Sequence, residues 1–249
     1  MLNRVLIQKL PDGEFASPNC YIAWKGFDER GFEIDFFTFR QLLDGKIEPK
    51  ANQILVGGAG AVLHALRKMG IKMPAIEDLP EPLAFLRGRK VWTSTLGDVR
   101  GASEQLSAPI FVKPLVDPKA FSGKLVSTFR DILSTAHLPD EMQVLISEVV
   151  NFISEWRFFI LKGEVIGAAF YNGDPLRFPD SSVIKAAMQA WPGPSAYAID
   201  LGVTDDGRTL LVEVNDGYSL GCLSLKPLQY SLLLQTRWQE LTKSAAKLR

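Results

Sequence analysis

Histidine and cysteine, the residues that build most metal centres and nucleophilic triads, are scarce in this sequence. Histidine occurs only at positions 64 and 137, and cysteine only at 20 and 222. That excludes a histidine-rich metal site and argues against a His-based triad. The two cysteines have no metal-binding spacing, and Cys222 reads as a small buried hydrophobe rather than a nucleophile. So little cysteine fits a soluble protein of the reducing cytoplasm. Excess charge is also missing: Lys+Arg and Asp+Glu both total 28. This argues against a general nucleic-acid or membrane-surface binder. No apolar run approaches the ~18–20 residues that span a bilayer. The opening MLNRVLIQKLPDGEF is broken by charge and proline too early for a signal peptide. Internal repeats and low-complexity tracts are absent.

What is present suffices for a packed core: 249 residues, 47% of them hydrophobic. Such a length fits one large or two small domains. YIAWKGF and FEIDFFTF are expected to be strands around an Asp-Glu-Arg-Gly turn. Ile54–Val56 form a short apolar strand, and Val62, Leu63, Leu66 and Met69 follow at helical spacing. Gly57, Gly58 and Gly60 at this turn could cradle a phosphate at a helix N-terminus. Leu63, however, fills the third slot of a dinucleotide fingerprint, so a tight strand-to-helix turn is preferred. Prolines 74, 80 and 82 lead to a boundary near residues 90–105. Beyond it APIFVKPL, MQVLISEVV, SEWRFFIL, EVIGAAFY, AYAIDLGV and TLLVEVN read as strands. STFRDILSTA, SSVIKAAMQAW and PLQYSLLLQTRWQEL read as helices. The class expected is α+β.

The stretch AIDLGVTDDGRTLLVEVND, residues 198–216, concentrates the chemistry. Alternation puts Glu213 and Asn215 on one strand face, and Ala198, Asp200 and Gly202 on one face of the other strand. With Asp206-Gly207 as a two-residue turn, Asp200 lies opposite Glu213. A four-residue loop keeps that register and a three-residue loop shifts it by one. Opposed carboxylates repel, and a divalent cation would remove the penalty. Aspartate, glutamate and an asparagine carbonyl are hard oxygen ligands suited to Mg²⁺. The plainer alternative is a hairpin with one solvated face.

Two other segments bear on that choice. In IFVKPLVDPKAFSGK, Lys113 ends an apolar strand, with Lys119 and Lys124 beyond it. A cation emerging from a buried strand can hold a phosphate, or it can simply snorkel. In LISEVVNFISEWRFFIL, Glu148 precedes Glu155 by seven residues and Arg157 shares the strand face of Glu155. A hinge there could read an adenine edge, a carboxylate could take ribose hydroxyls, and the arginine could reach phosphate. A Glu–Arg pair on an exposed strand is the alternative.

Over roughly residues 105–225 the chain resembles the ATP-grasp superfamily. FVKP, the E-x6-E-W-R run from Glu148 to Arg157 and the D-x12-E-x-N run from Asp200 to Asn215 carry the likeness. The whole chain is most similar to the small bacterial and phage clade marked by paired arginines and lysines. The resemblance implies an ATP-grasp fold at residues 96–249, with its C-terminal helix, preceded by a reduced N-terminal α/β domain at residues 1–95. It implies that Lys113 contacts the ATP phosphates and that Lys119 helps from the loop, with Lys124 the poorer candidate. Glu148, Val149 and Asn151 would form the adenine hinge, and Glu155 would hold the ribose. Arg157, with Arg100, would face the transferring group. Asp200, Glu213 and Asn215 would hold Mg²⁺. The glycine-rich loop of larger members is reduced here to AFSG, and the lysine usual before FVKP is not clear, with Arg89 or Arg100 as substitutes.

The activity so implied is ATP-dependent ligation of a carboxylate and an amine, small-molecule or peptide, through an acyl phosphate. The alternatives are phosphoryl transfer to another acceptor, a non-catalytic ATP-binding module, and polar residues that merely line a wet sheet. Trp24, Arg40 and Arg100 are weighed as an acceptor pocket, but core or rim packing and solvated surface are the preferred readings. The C-terminal helix and Pro194-Ser195 leave packing and a homodimer both open.

Overall fold

The computed structural model describes residues 3–71, 78–116 and 120–246. Along the chain run β1 (Arg4–Lys9), α1 (Pro18–Asp28), β2 (Glu33–Thr38), α2 (Phe39–Leu43), β3 (Ile54–Val56) and α3 (Ala59–Lys68). Then come a 3₁₀ turn (Glu81–Leu86), β4 (Val91–Thr95), α4 (Leu96–Ala102), β5 (Ile110–Pro114), β6 (Lys124–Val126), α5 (Phe129–Ile132) and β7 (Gln143–Glu148). The last elements are β8 (Phe152–Leu161), β9 (Glu164–Gly173), α6 (Ser181–Ala190), β10 (Ala196–Thr204), β11 (Thr209–Asp216) and α7 (Pro227–Ala246). Two compact units result. One comprises the chain up to Leu86, Ile153–Val203 and the chain from Thr209 onward; the other comprises Arg87–Phe152 and the turn Thr204–Arg208.

The first unit holds two sheets. The N-terminal one is parallel with strand order β2-β1-β3, and the other is ordered β11-β10-β8-β9. The stretch YIAWKGF, expected as a strand, lies in α1. Pro18 occupies the first turn and the Ser17 hydroxyl accepts from the Cys20 amide, a strong start signal. Cys20, Ala23 and Phe27 then fall at helical spacing and are buried. Aromatic and β-branched residues favour a strand only weakly, and the cap together with this period outweighs them. The turn before α3 is closed by Gln8, whose Oε1 accepts from the Gly58 amide at 2.9 Å. A Cβ on Gly57 would sit 2.5 Å from that oxygen, so a side chain there would push Gln8 off the Gly58 amide.

The four-stranded sheet of this unit is covered on both faces. Phe159, Ala169, Ala196 and Ala198 join Val5, Ile7, Phe27, Leu233 and Trp238 in one core. Phe158, Ile160, Tyr197, Ile199, Leu201 and Val214 meet Ile184 and Ala187 of α6 and Leu83 in a second. Helix α7 approaches α1 closely: a Cβ on Gly26 would lie 2.0 Å from the Pro227 carbonyl oxygen. In the second unit an antiparallel sheet ordered β4-β7-β5-β6 packs Val112, Val126, Val144 and Ile146 against Leu96, Val99 and Ile132. Capping boxes start α4 (Thr95 with Asp98) and α5 (Thr128 with Asp131). Mixed helices and sheets of both hydrogen-bonding types make the fold α+β, as expected. Among the described residues no helix is long and apolar enough to cross a membrane.

Candidate functional site

Strands β10 and β11 pair Asp200 with Glu213 and Ala198 with Asn215. The expected register is therefore present, but it arises from two compensating irregularities. The loop is three residues long: the Thr204 amide donates to the Arg208 carbonyl at 2.9 Å, and Gly207, at φ +83°, closes the turn. Such a loop alone would set Asp200 opposite Val212. A bulge between Asp200 and Leu201 takes Val212 out of the register and restores Glu213 to Asp200.

The polar residues do not form a wet face, because Asp200 is only 1% exposed. Arg157, from the neighbouring β8, grips it with two hydrogen bonds: Nε to Oδ1 at 2.8 Å and Nη2 to Oδ2 at 2.6 Å. Asn215 Nδ2 donates to Asp200 Oδ2 and Glu213 Oε1, each at 3.2 Å. Glu155 accepts from Tyr171 Oη at 3.0 Å and from Asn172 Nδ2 at 2.6 Å. Burial draws the Arg157 guanidinium down, but its bonds to Asp200 and the charge of Glu213 prevail and hold it above its ordinary value. The Asp200 carboxyl is pushed up. Burial is the main cause and Glu213 and Glu155 add to it, against the pull of Arg157. The paired geometry identifies Asp200 as the ionised partner of Arg157, in a setting crowded with carboxylates.

That crowding, with hard oxygens on adjacent strands, fits Mg²⁺, which commonly takes one or two carboxylates and completes its shell with phosphate and water. Turning the Asn215 amide end for end would add a carbonyl oxygen. Among the described residues no group of three or more His, Cys, Asp or Glu is arranged for a metal. Asp200 and Glu213 supply two carboxylates, so the remaining ligands of such an ion would have to come from outside this pair.

Helix α7 anchors the end of β11 beside these residues. Arg237 donates to Asp216 through Nε at 2.7 Å and Nη2 at 2.5 Å, and to Glu240 at 2.7 Å. Glu240 in turn accepts from the Ser195 amide and hydroxyl at the start of β10.

The second unit carries the other sequence candidates. Lys113 sits on β5 opposite Leu145, on the side of Phe111 and away from buried Val112. Lys124 pairs with Val112, which places it on the other side of the sheet from Lys113. Lys119 lies outside the described residues. Glu148 ends β7, and its Oε2 accepts from the Lys90 amide at 2.9 Å. Val149 and Asn151 follow in irregular, exposed backbone. Arg100 clamps the segment after α5: it pairs with Asp140 and donates to the carbonyls of Thr135 and, at 3.2 Å, Leu138. Arg89 stacks 5.8 Å from the Phe152 ring centroid. In the first unit Trp24 packs among Phe15 and Tyr21, and exposed Arg40 pairs with Asp44. Cys20 and Cys222 are buried free thiols, both pushed up by burial.

Tyr171 and Asn172 were not foreseen. Counting back from the Lys162-Gly163 turn puts Phe170 opposite Glu155, and two bulges move the pairing to Asn172. No pattern in EVIGAAFYNG announces them.

The Asp200–Arg157–Glu213–Asn215 cluster thus lies on one four-stranded sheet, and the second unit carries a lysine-bearing strand. Residues 86–233, more than half of the chain, match the model of an ATP-grasp domain, family 2 of the clade marked by paired arginines and lysines, and the chain belongs to that family. Solved structures agree on the fold. The RimK domain ATP-grasp protein from Sphaerobacter thermophilus DSM 20745 is 16% identical, with a TM-score of 0.58 over 95% of this chain and 99% of that one. D-alanine–D-alanine ligase from Bacillus anthracis is 15% identical, with a TM-score of 0.55 over 98% of each chain. The macrocyclase MdnC from Microcystis aeruginosa MRC, bound with precursor peptide MdnA, is 16% identical, with a TM-score of 0.56 over 97% and 99%. No curated protein matches the sequence.

Proposed function

We propose that this protein is an ATP- and Mg²⁺-dependent carboxylate–amine ligase that forms an amide or peptide bond through an acyl phosphate. The observation that carries the reading is the Asp200–Glu213–Asn215 cluster beside the half-buried Arg157. Its carboxylates and amide fit a divalent ion and its arginine fits a transferring phosphoryl group. The fold shared with a D-alanine–D-alanine ligase and a peptide-bound macrocyclase supports this choice over other ATP chemistry.

In this reading Asp200, Glu213 and Asn215 hold Mg²⁺, which would supply charge neutralisation at the phosphates. Lys113 and the loop lysine Lys119 contact phosphate oxygens. The backbone of Val149 and Asn151, next to Glu148, meets the adenine, and Glu155 takes the ribose hydroxyls. A substrate carboxylate attacks the γ-phosphorus in line, ADP leaves, and an acyl phosphate forms. Arg157 stabilises the phosphoryl oxygens and then the tetrahedral centre formed when the amine displaces phosphate. No side-chain nucleophile is required. Arg100, with its terminal nitrogens engaged by Asp140, Thr135 and Leu138, is assigned the holding of its own loop.

Calorimetric titration with ATP, with and without Mg²⁺, tests the site. Wild-type protein should bind in a metal-dependent manner, and Asp200→Asn and Glu213→Gln should each lose at least about tenfold in affinity, the scale of one charge-assisted contact. Full metal-dependent binding by both folded variants would remove the metal assignment. Screening amino acids and peptides for ADP release then tests ligation, and a phosphorylated product without an amide would favour direct phosphoryl transfer.

A further inference from the structure

The reading above leaves Tyr171 and Asn172 without a task, yet β9 is built to present them. The strand carries one bulge between the partners of Phe159 and Ile160 and another between those of Glu155 and Trp156. At a bulge two successive side chains oppose one residue of the partner strand. Here the two are Tyr171 and Asn172, and each donates to a different oxygen of Glu155. The Tyr171 ring also lies 5.9 Å from the Arg157 guanidinium carbon, within cation–π range. The phenol therefore touches both the carboxylate assigned to the ribose and the arginine assigned to the phosphoryl group.

Packing does not account for it. Tyr171 belongs to neither apolar core of its unit and is 37% exposed. Burial, with the charges of Asp200 and Glu155, pushes its hydroxyl above the ordinary range, so it stays a proton donor at working pH.

We propose that Tyr171 is a positioning residue for the nucleotide: its hydroxyl aims Glu155 at the sugar hydroxyls, and its ring backs Arg157 toward the phosphates. The inference rests on the roles proposed for Glu155 and Arg157, and its test separates the two levels. The full chain is titrated with ATP, ADP and 2′,3′-dideoxy-ATP in the presence of Mg²⁺. Tyr171→Phe keeps the ring and loses the donor. It should weaken ATP about tenfold, the usual effect of one hydrogen bond to a charged group. It should leave dideoxy-ATP unchanged, because no sugar hydroxyl is there for Glu155 to hold. Equal weakening of both nucleotides, or of neither, overturns the part given to the hydroxyl. Tyr171→Leu also removes the ring and should narrow the preference for ATP over ADP relative to Tyr171→Phe; an unchanged preference overturns the part given to the ring. Glu155→Gln is the reference. If it abolishes discrimination against dideoxy-ATP while Tyr171→Phe does not, the positioning role fails alone. If it leaves discrimination intact, the ribose assignment beneath it fails, and the inference with it.

Discussion

Arg157 and Asp200 form a two-pronged ion pair within the sheet, and both are largely shielded from water: their side chains are 15% and 1% exposed. Removing one partner of such a pair strands the other charge, at a cost of about 3–5 kcal/mol. Arg157→Met should therefore lose about that much unfolding free energy at neutral pH in a denaturant titration. The pH dependence has a definite sign. The folded Asp200 carboxyl is already raised above its unfolded value, and loss of the arginine raises it further. The variant's stability relative to wild type is then best below the unfolded carboxylate pKa and worsens as pH rises through the folded one. A deficit independent of pH would mean that Asp200 finds another cation. Little of this pair could be read from the chain. Asp200 opposite Glu213 follows from counting along a hairpin, but the partner on β8 lies 43 residues away in sequence and comes from strand order alone. Tyr171 was hidden for a related reason: its place depends on bulges, and a bulge leaves no periodic trace.

At the scale of the element, most segments obey their local signals. Helix α6 starts at Asp180, whose carboxylate accepts from the Ser182 amide at 2.8 Å. Bonds from the Ser182 backbone and hydroxyl hold that carboxyl below its ordinary value. Its contribution is present above the unfolded pKa and is lost as pH falls through the folded one. Asparagine caps as well as aspartate but does not titrate there. Asp180→Asn should accordingly match wild type near neutrality and lose less stability between about pH 5 and pH 2, where carboxylates titrate, in urea melts over that range. Parallel acid limbs would assign the cap no part in acid sensitivity. The same cap logic was available for α1, where Ser17-Pro18 precedes Cys20, Ala23 and Phe27 at helical spacing. Reading YIAWKGF as a strand gave weight to aromatic content over a start signal and a period. Strands β1, β4 and β6 were not anticipated. β4 (VWTST) and β6 (KLV) are short, and neither alternates strongly enough to stand apart from loop.

For the whole molecule one tight constraint is the crossing of α1 and α7. Gly26 lets the backbone of Pro227 approach, and even a methyl group would meet a carbonyl oxygen at 2.0 Å. Backbone cannot step aside as a side chain can, so Gly26→Ala should cost at least the 1–3 kcal/mol or so typical of overpacking. Thermal melting should report it as a lower midpoint, while a midpoint equal to wild type would show that the helices can separate without penalty. The ATP-grasp class was legible because its signature residues sit at fixed separations on strands. The grouping of residues into units was not, since it depends on α7 returning to the first sheet.

That return has a consequence for how the protein is made. Val5 and Ile7 share their core with Leu233 and Trp238, so β1 waits for α7, which is synthesised well over two hundred residues later. At ~5–20 residues per second the wait is on the order of ten seconds or more. The second unit is continuous in sequence from Arg87 to Phe152 apart from one five-residue turn. It can close while the N-terminal sheet still lacks α7, so β1 stays uncovered after that unit has formed.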